Sequence, residues 1–139
     1  MNRMKGGKDM QMPITAEDVI ISVFYHMKKN NHKKLTANRE ILHSAFYDMS
    51  EKYSNIMSLF SFRERETFPE SSQLDQALSN LDATGLISRQ NLTPRYYMVE
   101  DSLDSSYKKY SKKIIKSAGI KESEIKRLAE NIVDKIHAA

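Results

Sequence analysis

The side chains most capable of catalysis or metal binding in this sequence are four widely spaced histidines. Glu40-x-x-His43 has the helical spacing of half of a carboxylate-bridged metal site, but a second copy of that motif is missing. Neither a paired zinc motif, a glycine-rich phosphate loop nor a G-x-S-x-G turn is present. The absence of cysteine excludes disulfides, thiolate zinc sites and thiol nucleophiles. We therefore predict no enzyme activity, metal ion or cofactor, and we expect His43 at the core edge or on the surface.

Basic residues are the second group with chemical potential, and their first cluster surrounds the start of the second predicted helix. It contains Lys28, Lys29, Lys33, Lys34 and Arg39. No acidic residue occurs between Val19 and Arg39, so the positive charge is not compensated locally along the chain. Lysines of this kind contact phosphates without reading sequence. A solvated turn has the same composition, and both interpretations stay open.

A second group of lysines lies on the helix that is predicted to begin at Ser102. Its members are Lys108, Lys109, Lys112, Lys113 and Lys116. At about 100° per residue these side chains occupy one arc of the helix, opposite an apolar side. The predicted apolar side consists of Leu103, Tyr107, Tyr110, Ile114 and Ala118. Such a stripe binds nucleic acid or an anionic membrane surface, or it is simply a solvated face.

The composition indicates one globular domain with a mild preference for polyanions. The 139 residues are 29% charged and 40% hydrophobic, and the formal net charge is +4 with a pI near 9.2. The N-terminus lacks the apolar run of a signal peptide, and no segment approaches the roughly 20 apolar residues of a membrane span. We therefore expect a cytoplasmic protein that does not enter a membrane.

The first two helices that position these residues are predicted from capping signals and apolar periodicity. Thr15, with Asp18 three residues later, predicts a short capping box at the start of a helix that extends to about Lys29. Thr36 is a plausible cap for the second helix, which has an apolar stripe from Ile41 to Met49 and is predicted to end near Tyr53. The stretch that follows is either a short helix or an extended segment, and no assignment is made for it.

A third helix and a hairpin have the clearest local signals. Ser72 is expected to cap the helix, with Asp75 at its third position. Gly85 stands where a helix needs a left-handed residue to terminate. The apolar period then changes, which predicts that Leu86–Gln90 pairs in antiparallel fashion with Arg95–Val99.

Two further helices are predicted, from Ser102 to a stop at Gly119 and from about Glu122 to His137. Their apolar seams have the spacing that suits another helix, so we expect an antiparallel pair. Ile115 and Val133 are expected at the remaining apolar edge of that pair. This arrangement predicts a symmetric homodimer held by the two C-terminal helices.

The segment Ser72–Val99 resembles the recognition helix and wing of winged-helix proteins. The matching residues are Leu74, Ala77, Leu78, Leu81, Gly85, Leu86 and Ile87, followed by Tyr96 and Tyr97. They reproduce the family pattern L-x-x-A-L-x-x-L-x-x-x-G-L-I without a gap. The resemblance implies a mainly α fold: a winged-helix core with a small β-hairpin wing plus two C-terminal helices. The expected divisions are a flexible N-terminal arm at 1–13, the core at 14–100 and a C-terminal helical pair at 101–139, used for packing or dimerisation.

The same resemblance implies where duplex DNA would bind. The exposed side of a recognition helix enters the major groove, which assigns base contacts to Gln73, Gln76 and Asn80. The wing contributes Arg89 and Arg95 to phosphates or the minor groove. Together with the first lysine cluster, these residues predict a DNA-binding regulatory protein that contacts phosphates through lysines.

The charge of the same helix keeps a second hypothesis open. No lysine or arginine occurs between Glu70 and Ser88, and the helix carries Asp75 and Asp82. A winged-helix module with such a helix can instead bind another protein, as an antitoxin or a complex subunit that does not contact DNA.

Overall fold

The computed structural model describes residues 13–64, 67–91 and 93–139. The predicted flexible arm, residues 1–13, lies outside these ranges except for Pro13. The helices and strands, in chain order, are α1 (Ala16–Lys29), β1 (Lys34–Thr36), α2 (Arg39–Asp48), α3 (Ser54–Met57), α4 (Ser72–Ala83), β2 (Ile87–Gln90), β3 (Tyr96–Val99), α5 (Asp101–Ser106), α6 (Lys112–Ser117) and α7 (Glu122–Ala138). A π-helical turn, Tyr107–Ser111, joins α5 to α6.

Helix α1 is the centre of the fold. Its predicted capping box is confirmed: the Thr15 hydroxyl accepts the Asp18 N–H at 3.2 Å, and the Asp18 carboxylate accepts the Thr15 N–H at 3.1 Å. All ten residues of the range 18–27 are buried, not only the one face that the apolar stripe indicated. The reason is that α4, the π-helical turn and α7 all pack around this helix.

The region around α2 differs from the sequence-based expectation at both ends. Thr36 is not a helix cap, because it lies in β1 opposite Tyr96. The cap is Asn38, whose side-chain oxygen accepts the Ile41 N–H at 3.1 Å. The helix ends at Asp48, before the predicted end near Tyr53. Strand pairing is a tertiary effect, so a local capping signal could not reveal it.

Helix α4 follows the prediction closely. It begins one residue early, because Ser71 and not Ser72 accepts the Leu74 N–H at 3.3 Å. It ends as predicted: Gly85 has φ +78°, and the Leu86 N–H donates to the carbonyl of Leu81 at 2.9 Å. The four residues of its predicted apolar side are buried: Leu74, Ala77, Leu78 and Leu81.

The three strands form one antiparallel sheet in the order β1-β3-β2. The predicted hairpin is confirmed, with Ile87 opposite Val99 and Gln90 opposite Tyr96. Strand β1 was not predicted. The order of helices, with a strand after α1 and a hairpin after α4, gives a mainly α fold with a winged-helix-like layout and additional C-terminal helices.

The apolar side of the first C-terminal helix differs from the predicted one after Tyr107. The buried residues are Leu103, Tyr107, Ser111 and Ile115. Tyr110 and Ala118 were expected to be buried but are exposed, and Ile114 is only partly buried. A π-helical turn inserts one residue, so side chains four apart stay on one side of the helix.

A buried hydrogen bond accompanies this insertion. The Ser111 hydroxyl donates to the Asp18 carboxylate of α1 at 2.9 Å. Both residues are buried, so the carboxylate would otherwise lose part of its hydration without replacement. The π-helical turn therefore brings a hydroxyl inward where a regular helix would have placed Tyr110.

The two C-terminal helices pack mainly against α1 rather than forming a separate pair with an open apolar edge. Ile115 is 4% exposed and Val133 is 7% exposed. The expectation that these two residues face a second subunit is therefore wrong, because the core of the same chain already covers them. The homodimer itself stays a prediction. No helix in the described ranges is both long enough and apolar enough to cross a membrane.

Candidate nucleic-acid interface

The sheet and α4 form the surface on which most of the predicted DNA-binding residues lie. Residues opposite one another in an antiparallel sheet point to the same face. Arg89 therefore shares the core-facing side of the sheet with Leu35 and Tyr97, at the end that overhangs α4. Lys34 and Tyr96 share the opposite face, with the ammonium 5.2 Å from the ring centroid.

Apart from Arg39, five of the ten predicted residues are exposed cations. They are Lys29, Lys33, Lys34, Arg89 and Arg95. None of them forms an ion pair within the described ranges. The backbone beside β1 is held firmly, since the Lys33 carbonyl accepts the Val99 N–H at 2.8 Å and the Arg95 carbonyl accepts the Ala37 N–H at 3.2 Å. The cations of the sheet therefore project from a fixed scaffold.

Lys28 has a structural role instead of an exposed one. Its ammonium lies 2.8 Å from the Asp101 carboxylate and 3.0 Å from that of Asp104, and its side chain is 18% exposed. The hydrogen bonds that Lys28 donates to Asp101 and Asp104 raise its pKa. This contact ties the end of α1 to the start of α5, so the prediction of a DNA contact at Lys28 is not supported by its position.

Arg39 is likewise engaged within the protein. Its guanidinium donates to both carboxylate oxygens of Asp75, at 3.2 and 2.7 Å, and to Glu70 at 3.2 Å. These hydrogen bonds, above all those that Arg39 donates to Asp75, raise the pKa of Arg39 despite some burial. The two carboxylates neutralise the cation, so Arg39 is poorly placed to attract phosphate.

His43 is completely buried, which contradicts its predicted place at the core edge or surface. Its Nδ1 accepts the Ser71 backbone N–H at 3.0 Å, so in the neutral ring the proton lies on Nε2. That nitrogen is 2.9 Å from the Asp75 carboxylate and donates to it. Burial lowers the pKa of His43, while the Asp75 hydrogen bond partly opposes this effect. With both nitrogens engaged, His43 anchors the start of α4 and is not available as a metal ligand with Glu40.

The predicted base-contacting residues of α4 are also engaged internally. The Gln73 side-chain oxygen accepts the Ser61 N–H at 2.9 Å and the Ser71 hydroxyl at 3.1 Å. Gln76 donates to Asn80 at 2.9 Å, and Asn80 donates to Glu17 of α1 at 2.7 Å. Only Gln76 among the three is exposed. Hydrogen bonds within the protein therefore already orient each of these amides.

A cavity of about 230 Å³ lies between α2, α4 and the hairpin. It is lined by Ala37, Arg39, Leu42, His43, Asp75, Leu78, Ser79, Asp82, Arg89 and Tyr97. Burial raises the pKa of Tyr97, so its hydroxyl stays neutral and can donate or accept a hydrogen bond. The cavity thus combines two arginines with two carboxylates and is suited to mixed polar contacts.

The side of α4 that borders this cavity is acidic. Asp75 and the adjacent Glu70 share the single guanidinium of Arg39, and exposed Asp82 forms no ion pair within the described residues. An acidic helix is repelled by the phosphates that border the major groove. The cations that favour nucleic acid therefore lie on the sheet and not on the helix that the resemblance assigns to DNA.

Sequence reasoning missed the ion-pair partners of Lys28 and Arg39 because those partners are distant in the chain. Asp101 is 73 residues from Lys28, and Asp75 is 36 residues from Arg39. The sequence contained only an indirect signal of this pairing. The basic segment lacks acids of its own, while Asp75 and Asp101 lie near the starts of other helices. Only the packing shows which cations those acids neutralise.

The chain matches no protein-family model, and no curated protein or solved structure shows a significant match to it. The winged-helix-like layout accordingly rests on the order of its helices and strands.

Proposed function

We propose that this chain is a non-enzymatic, DNA-binding regulatory protein that contacts the phosphates of duplex DNA through its sheet. The contacts come from Lys33 and Lys34 beside and within β1 and from Arg89 and Arg95 of the hairpin. This assignment keeps the phosphate contacts by lysine that the sequence predicted. It removes Lys28 and Arg39 from the predicted interface, because carboxylates of the same chain already pair with them.

The observation that carries the proposal is that these four cations are exposed and form no ion pair within the described ranges. A two-stranded β-ribbon fits the major groove as an α-helix does. The hairpin can therefore enter the groove in place of α4. Lys34 lies on the opposite face of the sheet from the cavity that contains Asp75 and Asp82, whereas Arg89 lines that cavity.

The test is fluorescence anisotropy with random-sequence duplex DNA across a salt series. Four phosphate contacts give a logarithmic salt slope of about −3.6, which weakens binding roughly 100-fold between 50 and 200 mM salt. A variant in which Lys33, Lys34, Arg89 and Arg95 are changed to Gln should lose most of that slope and bind all sequences more weakly.

The matched control removes the same charge elsewhere, by changing Lys52, Lys121, Lys126 and Arg127 to Gln, four exposed residues outside both the sheet and the segment 108–116. We expect this control to keep most of the duplex affinity. Equal losses in the two variants would attribute binding to net charge instead of the sheet. Unchanged affinity in the sheet variant would contradict the proposal and favour the second function below.

A second function is favoured by the acidic side of α4. A basic protein partner would be attracted by Asp82 and by the Asp75–Glu70 pair, in the manner of an antitoxin or a complex subunit that does not bind DNA. Changing Asp82 to Lys should then abolish capture of that partner. Under the DNA proposal the same change should strengthen duplex binding, because it removes a repulsive charge.

The proposal is compatible with a cytoplasmic location and with a homodimer, in which two sheets would double the number of phosphate contacts. Such a dimer would need a surface other than Ile115 and Val133, since both are buried. Light scattering at micromolar concentration tests the dimer: a monomeric mass would contradict it.

A further inference from the structure

The π-helical turn places an aromatic ring in solvent. Tyr110 is 57% exposed, and one lysine ammonium, that of Lys109, lies 5.7 Å from its ring centroid. The other exposed large hydrophobic residue of the described chain, Tyr47, packs against the Phe62 ring at 5.4 Å. Tyr110 has no comparable aromatic partner within the described ranges. Its face is therefore accessible to a ligand ring.

Lysines surround this ring on both sides along the helix. They are Lys108, Lys109, Lys112, Lys113 and Lys116, and all five are exposed. None forms an ion pair within the part of the chain that the structure describes. The acids at the start of this helix, Asp101 and Asp104, are paired with Lys28 and do not neutralise the stripe. The segment is therefore a cationic surface with an exposed aromatic ring at its centre.

The composition of this surface indicates which polyanion it is suited to bind, an anionic membrane or a nucleic acid. A membrane-bound amphipathic helix inserts an apolar face between lipids. Here the apolar side is turned inward, with Tyr107 and Ile115 buried, so the exposed side offers one phenol ring and no aliphatic face. Cationic surfaces with exposed aromatic rings are how proteins bind single-stranded nucleic acid, because each base has a π-face that stacks on a ring.

We propose that Tyr110 and the surrounding lysines form a binding site for single-stranded nucleic acid. The phenol ring stacks on one base, and the ammonium groups on either side contact the flanking phosphates. From Lys108 to Lys116 the helix spans about 12 Å, which accommodates two or three nucleotides of an extended strand. The π-helical turn creates this site because it exposes Tyr110, which a regular helix would direct towards the core.

This inference is independent of the proposed duplex binding, because it uses different residues and a different nucleic-acid feature. The sheet cations contact phosphates of a duplex, whereas Tyr110 requires an unstacked base. A variant of each surface in both assays therefore distinguishes failure of one proposal from failure of the other.

The experiment measures anisotropy of fluorescein-labelled oligothymidylate and oligouridylate of about 15 nucleotides, within the usual site sizes of single-strand binders. Changing Tyr110 to Ala should weaken binding roughly 10-fold, the loss expected for one stacked base. Tyr110→Phe retains the aromatic ring and should bind within about twofold of the unchanged protein. Binding of both oligomers reports the base stacking and the phosphate contacts that they share. The ratio of their two dissociation constants shows whether the deoxyribose or the ribose oligomer is preferred.

Tyr47→Ala is the matched control, because it removes an exposed tyrosine from another face and should leave oligomer affinity unchanged. Unchanged affinity in Tyr110→Ala, or an equal loss in Tyr110→Phe, would overturn the stacking role. Binding to phosphatidylserine vesicles that depends on Tyr110, without oligomer binding, would also overturn the proposal and indicate a membrane surface instead.

Discussion

Helix α4 and the α5–α6 segment pack on different sides of α1 and present opposite charges to solvent. The exposed side of α4 carries carboxylates, and Arg39, the cation beside it, is neutralised by two of them. The α5–α6 segment carries five exposed lysines that form no ion pair within the described ranges. The helix that occupies the place of a recognition helix thus has the charge least suited to DNA. Topology alone does not determine which surface of a winged-helix-like layout meets a polyanion.

The largest expected effect comes from removing Asp75, the carboxylate that binds His43 and Arg39 on the acidic side of α4. Changing Asp75 to Ala leaves the buried Nε2–H of His43 without a partner and releases Arg39, so we expect a loss of about 3 kcal/mol in the free energy of unfolding. Urea denaturation measures it. Asp82→Ala, on the same helix but exposed and unpaired within the described ranges, should change stability by less than about 0.5 kcal/mol.

The second effect is a dependence of stability on pH. Burial lowers the pKa of His26 and His43 below the ordinary value of 6.5. Below about pH 6.5 the unfolded chain therefore binds more protons than the folded chain, so the free energy of unfolding falls as pH decreases. The slope is at most about 1.4 kcal/mol per pH unit for each histidine, or roughly 2 kcal/mol in total between pH 7 and 5.5.

Charged groups around the two rings enter this balance. They are Asp75, Arg39 and Glu70 for His43, and Glu122, Lys126, Lys29 and Glu130 for His26. Denaturant unfolding at several pH values above the carboxylate range measures the slope. His43→Gln keeps a donor and an acceptor and should remove about half of the pH dependence. A flat stability between pH 7 and 5.5 would contradict the prediction.

A smaller effect tests the junction between α4 and the hairpin. Gly85 has φ +78°, and a Cβ built on it meets no atom within 4 Å. The cost of Gly85→Val is therefore backbone strain alone, which we expect to be about 1 to 2 kcal/mol. Gly85→Asn should cost less, because Asn tolerates positive φ. Equal stability of the Val variant and the unchanged protein would contradict a left-handed stop at this position.

The smallest effect concerns a hydrogen bond of the π-helical turn that exposes Tyr110. Changing Ser111 to Ala removes the hydrogen bond to Asp18 and should cost about 1 kcal/mol. Asp18 keeps its contacts to Thr15, which limits the loss. Thermal unfolding measures this change, and Ser117→Ala, at an exposed position of the same segment, is the control. A Ser111→Ala variant as stable as the control would show that this hydrogen bond does not stabilise the π-helical turn.

The sequence predicted the features that depend on neighbours along the chain. The Thr15–Asp18 capping box, the stop at Gly85 and the hairpin were all predicted correctly because each is a local signal. Thr36 failed as a cap because β1 pairs with a distant strand. The four-residue spacing of Leu103 and Tyr107 fits a regular α-helix and the observed π-helical turn equally well, so the sequence did not reveal the turn.

The candidate interface was predicted in part. Arg89 and Arg95 lie on the hairpin, as predicted, whereas Lys33 and Lys34 lie beside and within β1, a strand that was not predicted. The neutralisation of Lys28 and Arg39 could not be predicted, because a charge is compensated by whichever acid the fold brings near. His43 was misplaced for a related reason: both of its nitrogens hydrogen-bond to residues at the start of α4, which only the fold brings near.

The burial of α1 on all sides has a consequence for how the chain folds. The hydrogen bond between Asp18 and Ser111 joins residues 93 positions apart, and α7 covers the same helix from still farther along the chain. Closing such long loops is slow, and the sides of α1 that the π-helical turn and α7 cover stay exposed until it happens. During synthesis, an early apolar helix must therefore wait for the last helix before its surface is protected. A chain shortened to end near Asp101 would keep that helix exposed permanently, so we expect it to aggregate rather than fold as a smaller domain.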